Sequence, residues 1–152
     1  MGYKLNKIDK RVYCIVGDGE MQEGQIWEAG LSIAHHKVNN LTIILDYNKA
    51  QIDGFIDEVT SLEPLKEKWQ AFGFHTHEVD GHSYQELSDA LRDIDPAKPS
   101  IIIAHTIKGC GVPYMEGLVD WHGKAPNSDE LEEALKSIDA NSTIGVQGVT
   151  NG

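Results

Sequence analysis

The chain has 152 residues, with 24 Asp and Glu against 13 Lys and Arg, a formal net charge of −11, and 40% hydrophobic residues. That length fits one domain, and an acidic chain with no basic run is a poor nucleic-acid binder. No apolar stretch reaches the length of a membrane span, and the N-terminus lacks an apolar signal core. The two cysteines, Cys14 and Cys110, lie far apart and read as reduced thiols of a cytoplasmic protein.

Val12 to Val16 is a continuous apolar run that ends in Gly17-Asp18-Gly19. It reads as a strand buried on both faces, as in a parallel sheet. Ile26, Trp27, Gly30, Leu31, Ile33, Ala34 and Val38 then share one broad face of a helix. Gly30 weakens that helix, so close packing against a neighbour is expected there. Leu41 to Leu45 is a second buried strand, ending at Asp46-Tyr47-Asn48. Residues 49–61 read as a loop, and Leu62 to Phe74 as a helix with Pro64 in its first turn. Thr76 to Val79 is a short strand that turns at Asp80-Gly81. Ser83 and Glu86 form a capping box for a helix running to about Ile94. Ser100 to Ala104 is a third apolar strand, and 105–127 a long loop of the kind that carries function. Ser128 is the expected cap of a last helix, Asp129 to about Ile138, with a mobile tail over 141–152. Strands alternating with helices give an α/β fold with a parallel sheet.

In open parallel sheets, ligands bind at the carboxyl ends of strands, where Gly17-Asp18-Gly19 and Asp46-Tyr47-Asn48 both fall. Glycines let a phosphate approach the backbone and leave N–H groups to donate. Asp18 offers a hard anionic oxygen and Asn48 a neutral amide oxygen. With a backbone carbonyl just after Asn48, diphosphate oxygens and a water, they would complete the octahedral oxygen shell that Mg²⁺ requires. Asp18-Gly19 alone would be a common turn pair; Asn48 at the next strand end is what shifts the reading toward metal and diphosphate. His122 in the long loop could polarise a carbonyl or move a proton, and Lys108 could pair with phosphate. His35 and His36 are adjacent and make a poor chelate, and their place in a last helical turn suits positive charge. His75 and His77 share a strand face at a spacing suitable for a metal. With no Cys or carboxylate cluster in support, they read as surface residues.

Four segments resemble one family, the transketolases. They are Gly17-Asp18-Gly19-Glu20-Met21-Gln22-Glu23-Gly24-Gln25-Ile26-Trp27-Glu28-Ala29, Asp46 to Gly54, Thr106-Ile107-Lys108-Gly109-Cys110-Gly111, and Trp121-His122-Gly123-Lys124-Ala125-Pro126. Gly17-Asp18-Gly19 followed by Asn48 is similar to the thiamine diphosphate fingerprint. The resemblance covers residues 11–140 and implies a three-layer thiamine diphosphate-binding fold, a partial diphosphate (PP) domain over 1–140. It implies Mg²⁺ or Ca²⁺ held by the side chains of Asp18 and Asn48 and the carbonyl of Ala50. Gly17 and Gly19 would meet the diphosphate, the latter through its N–H, and Ile52 would pack on the cofactor. Lys108 would contact the cofactor, and His122 would act near the diphosphate and the reacting carbon as the catalytic histidine. Glu23 and Glu28 match carboxylates at a dimer interface beside the cofactor.

The activity this implies is transfer of a two-carbon ketol unit from a ketose phosphate to an aldose phosphate, in the cytoplasm, within pentose phosphate metabolism. The family's glutamate that pairs with the aminopyrimidine ring lies in a separate pyrimidine-binding domain, and the first part of the PP domain has no match here. A split subunit or a fragment is therefore expected, inactive without partner chains and working as a dimer or hetero-oligomer. A deoxyxylulose-phosphate synthase-like or 2-oxoacid dehydrogenase-like component, or a non-catalytic assembly subunit of the same fold, is the alternative. Gln22-Glu23-Gly24 and Trp121-His122-Gly123 favour transketolase over the other enzymes, and the intact Asp18/Asn48 pair argues against a mere scaffold.

Overall fold

The structure, a computed structural model, describes residues 1–145, with side chains as far as residue 140. It forms two compact units, one from Met1 to Thr106 and one from Ile107 onward. The first holds a short helix α1 (Gly2–Leu5), β1 (Val12–Gly17), a 3₁₀ turn (Glu20–Gln22), α2 (Gly24–His35) and β2 (Leu41–Tyr47). There follow β3 (Ala50–Gln51), β4 (Gly54–Phe55), α3 (Ile56–Val59), α4 (Leu65–Ala71), β5 (His75–Asp80), α5 (Tyr84–Arg92) and β6 (Ser100–His105). The second unit holds a 3₁₀ turn (Val119–His122) and α6 (Ser128–Gly145).

Four strands pair in the order β1-β2-β6-β5, and every pairing is parallel. All four carboxyl ends therefore lie along one rim of the sheet. The expected α/β parallel architecture is what the chain adopts. The apolar run of β6 is buried from Ser100 to Ala104, and Ile43 and Leu45 of β2 are buried with it.

The expectation for β1 needs correction. Its apolar run does form a strand, but it lies at the sheet edge rather than between two covered faces. Tyr13 is 54% and Ile15 73% exposed, and Cys14 is exposed as well. A continuous apolar run says that both faces are meant to be covered; it does not say that the cover belongs to the same unit.

Against the sheet sits an aromatic cluster. Trp69 of α4 is fully buried and stacks on Trp27 of α2, ring centroids 5.5 Å apart, with Phe72 and Phe74 edge-on at 5.8 and 4.8 Å. Gly30 is the close approach anticipated from its helix. A Cβ there would come within 3.0 Å of the Trp69 ring and 3.1 Å of the Phe72 ring.

Several local expectations are refined. Residues 50–59, expected as loop, contain the β3–β4 hairpin and α3. Two-residue strands carry no periodicity to read. Ser83 caps α5 as expected, accepting from the Glu86 N–H at 3.3 Å. The Glu86 carboxylate turns instead to the Asp80 N–H, at 2.9 Å, so the capping box is one-sided. The cap of α6 is Asn127, one residue before the expected Ser128. Its Oδ1 accepts from the Asp129 and Glu130 N–H groups, both at 3.0 Å, and Glu130 returns the bond to the Asn127 N–H at 2.8 Å. The helix continues to Gly145, and residues 146–152 of the expected tail lie outside the described residues.

Tyr47, at the end of β2, donates its hydroxyl to Glu63 Oε1 at 2.7 Å, and Glu63 Oε2 accepts from the Leu65 N–H at 2.9 Å. The Leu65 N–H and then the Tyr47 hydroxyl hold the Glu63 carboxyl below its ordinary value. Burial, with the Glu63 bond, pushes the Tyr47 hydroxyl well above its own. Because the folded Glu63 value is depressed, its stabilisation is complete above the unfolded value of about 4.3 and fades as the pH falls through the folded one. The Tyr47 value is raised, so its share is complete below the unfolded value of about 10 and fades as the pH rises further. Thermal melts should thus show Glu63→Gln losing part of the acid sensitivity of the parent, and Tyr47→Phe losing part of the alkaline sensitivity.

Candidate active site

The register of β1 and β2 builds the site. Gly17 lies opposite Asp46, so the two chains leave the sheet side by side, one carrying Asp18 and the other Asn48. Asp18 is 1% exposed. Its Oδ1 accepts from the Gly19 N–H at 2.8 Å and its Oδ2 from the Lys49 N–H at 2.5 Å. Lys49 reaches that position with φ of +62°, a left-handed turn uncommon for a residue with a side chain. A buried carboxylate needs strong compensation, and these backbone donors fix both of its oxygens at the strand ends.

Asn48 is oriented from both sides. Its Nδ2 donates to Asp46 Oδ2 at 3.2 Å, and its Oδ1 accepts from the Ala50 N–H at 3.0 Å. Asp46 is itself held by the Thr106 hydroxyl, which donates to Oδ1 from the end of β6. Asp46 is thus a positioning residue that the sequence does not single out. Its proximity to Asn48 is visible there, but the bond from Thr106 depends on a strand pairing between distant parts of the chain.

Gly19 is required by packing. A Cβ there would lie 2.9 Å from the Cβ of Gln51, too close for any real contact. The loop after β1 therefore seats directly on the β3–β4 hairpin that carries Ala50. The Gly17 N–H donates to Glu20 Oε2 at 2.8 Å. Ile52, at the hairpin tip, is 75% exposed, and Ala50 is buried. Glu23 begins α2 without a side-chain cap bond, and Glu28 lies on the exposed side of that helix.

The donor set at these strand ends is oxygen throughout: the Asp18 carboxylate, Asn48 Oδ1 and the Ala50 carbonyl. That is the chemistry a hard cation such as Mg²⁺ or Ca²⁺ takes, so the residues present fit such an ion.

Within the second unit, Lys108 Nζ lies 3.2 Å from His122 Nδ1. An ammonium has no lone pair, so Lys108 donates and the ring accepts. A neutral His122 then carries its proton on Nε2, which becomes the outward donor. The loop is closed by the Gly117 N–H donating to the Lys108 carbonyl at 2.8 Å. It is tightened at Gly109, whose φ is +69° and whose Cβ would meet Met115 at 2.7 Å. Trp121, beside His122, donates Nε1–H to the Tyr114 carbonyl at 2.9 Å and stacks obliquely on the Tyr114 ring.

Residues 3–144 match the family described as "Transketolase, thiamine diphosphate binding domain". The chain belongs to this family. It is 43% identical over 130 residues to an apulose-4-phosphate transketolase subunit of Actinobacillus succinogenes, covering 85% of this chain and 47% of that one. It is 37% identical over 141 residues to the 6-deoxy-6-sulfo-D-fructose transketolase subunit SqwG of a Clostridium species, covering 91% of this chain and 51% of that one. The crystal structure of the Campylobacter jejuni transketolase superposes with a TM-score of 0.81 at 32% identity, covering 87% of this chain and 21% of that one. The chain thus spans about half the length of these two transketolase subunits. The chain is thus similar to transketolase subunits in sequence and to a transketolase in fold. Among those residues, no helix is long and apolar enough to cross a membrane.

Proposed function

We propose that this chain is the diphosphate- and metal-anchoring part of a transketolase that moves a two-carbon ketol unit from a ketose phosphate to an aldose phosphate. The observation that carries this reading is the buried Asp18, set beside an oriented Asn48 at the carboxyl ends of adjacent parallel strands. Asp18, Asn48 and the Ala50 carbonyl hold Mg²⁺ or Ca²⁺. Gly19 would offer its N–H to the diphosphate as the Asp18 carboxylate turns to the ion, and Gly17 would meet the diphosphate once Glu20 releases its N–H. Ile52 supplies apolar surface to the cofactor. Lys108 contacts phosphate and orients His122, whose Nε2–H is the donor that moves a proton or polarises a substrate carbonyl. Bound thiamine diphosphate would supply the electron sink for carbon–carbon cleavage, which side chains lack.

The relatives from Actinobacillus succinogenes and Clostridium are named as subunits of their enzymes, which supports a partner chain here. So does the exposed edge of the sheet. Tyr13 and Ile15 are exposed on one face of β1, and Val12, on the other face, lines a groove with Ala29, Ile33, Val38 and Leu41. An uncovered apolar strand edge is a surface that another polypeptide segment completes. Leu31 on α2 is 57% exposed, and Glu23 and Glu28 on the same helix are assigned to the contact beside the cofactor. The partners carry the pyrimidine-binding domain and the first part of the PP domain, and the chain alone is inactive.

Isothermal titration with thiamine diphosphate, in Mg²⁺ and in chelator, with and without the partner chain, tests the anchoring role. Metal-dependent binding in the complex is expected, and its absence in every complex would instead favour a scaffold. Asp46→Ala should weaken metal-dependent binding by about 10-fold or more, the usual effect of removing a group that orients a ligand. Unchanged affinity would remove Asp46 from the site.

A further inference from the structure

We infer that His75, His77 and Asp93 form a second metal site, of the class that takes a borderline transition ion such as Zn²⁺ or Co²⁺. This inference is independent of the proposed transketolase role. The two histidines alternate along β5, an edge strand, and so face the same way. Their rings lie 4.5 Å apart at 90°. Asp93, the residue that ends α5, comes over that face from the next element.

The carboxylate supplies what the sequence alone lacked. Asp93 Oδ2 lies 3.6 Å from His75 Nε2 and 3.7 Å from His77 Nε2, and the three ligand atoms all fall within 4.8 Å of one another. Ligands around a tetrahedral Zn²⁺ with bonds of about 2.0 Å stand roughly 3.3 Å apart. Small side-chain rotations therefore close the set around an ion.

Two further features point the same way. His75 Nε2 is buried and has no hydrogen-bond partner among the described residues. A buried polar atom left in that state is costly, and an ion would satisfy it. His77 Nε2 meets the Asp93 carbonyl at 3.0 Å, so this ring carries its proton there when no ion is bound. An ion between the ring and Asp93 takes the place of that proton, which moves to Nδ1. A shallow groove lined by His77, Glu86, Asp89 and Asp93 gives an anionic approach from solvent.

Two imidazoles and one carboxylate select Zn²⁺, Co²⁺ or Ni²⁺ over Mg²⁺, whereas the oxygen donors at Asp18 select the reverse. Bound, the ion would clip the end of α5 to the edge strand.

The test is titration of the purified chain with Co²⁺ in saturating Mg²⁺, read by its visible d–d absorption, with Zn²⁺ competing. One equivalent should bind, and Asp18→Ala should leave it intact. His77→Gln and Asp93→Asn should each weaken it by at least ~100-fold. Asp93 is exposed, so Asp93→Asn should keep the parent's melting temperature in chelator, separating loss of the site from loss of the fold. Failure of Co²⁺ or Zn²⁺ to bind with one-to-one stoichiometry, or binding that survives both substitutions, would overturn the inference.

Discussion

Asp18→Ala is expected to weaken thiamine diphosphate binding in Mg²⁺ by about 100- to 4,000-fold. Asp18 is the one carboxylate assigned to the ion. Removing one member of a buried charge pair costs about 3–5 kcal/mol, and each 1.4 kcal/mol is tenfold in affinity. The side chain also takes the N–H groups of Gly19 and Lys49, which alanine would leave without that acceptor. Part of the loss would therefore come from the loop itself. Asp18→Asn removes the charge at nearly the same volume and keeps an acceptor for one of these two N–H groups, while its amide NH2 faces the other. It should bind the cofactor weakly whether or not Mg²⁺ is present, and the metal-free chain should melt below the parent. Titration calorimetry and thermal melts in Mg²⁺ and in chelator measure both. An affinity for Asp18→Asn that still rises with Mg²⁺ as in the parent would take Asp18 out of the metal site.

Trp69→Ala should be the most damaging single substitution away from the site, costing about 3–5 kcal/mol of folding stability. The indole is fully buried between Trp27, Phe72 and Phe74, and it forms the wall against which Gly30 brings α2 close. Alanine would leave a cavity that the surrounding rings fill only in part. For a chain of this size, a loss of that order lowers the melting temperature by roughly 10 °C. Trp69→Phe is the informative contrast. The indole Nε1 is buried without a hydrogen-bond partner among the described residues, so phenylalanine removes an unsatisfied donor along with part of the ring. It should cost about 1 kcal/mol, well below the alanine variant. Urea unfolding of the two proteins gives the comparison, and equal losses would mean that the ring volume is not what matters.

The rim of the sheet was legible because its signals are local. A run of apolar residues ending in Gly-Asp-Gly, and another ending in Asp-Tyr-Asn, mark parallel strands and the polar turns at their carboxyl ends. Gly30 was legible for a similar reason, since a glycine inside an apolar helix face calls for a close neighbour. The rest depended on distant partners. Asp46 gains its role through Thr106, and the pair of His75 and His77 gains a third ligand only when the end of α5 brings Asp93 across it. The cap of α6 lies one residue from its expected place because Asn127 and Ser128 are both good caps. Glu130 decides between them, standing three residues beyond Asn127. The apolar run of β1 predicts burial that the edge strand lacks, because hydrophobicity reports that a surface will be covered and not which polypeptide covers it.

Ketol transfer from a ketose phosphate to an aldose phosphate, assayed with thiamine diphosphate and Mg²⁺, puts the whole account at risk. The assay compares this chain alone, the partner polypeptides that carry the pyrimidine-binding domain and the first part of the PP domain alone, and all of them combined. Activity in the combination, lost with Asp18→Ala and absent from this chain or the partners by themselves, is the predicted result. Robust transfer by this chain with no other polypeptide present, or transfer by the combination that is indifferent to Asp18, would contradict it.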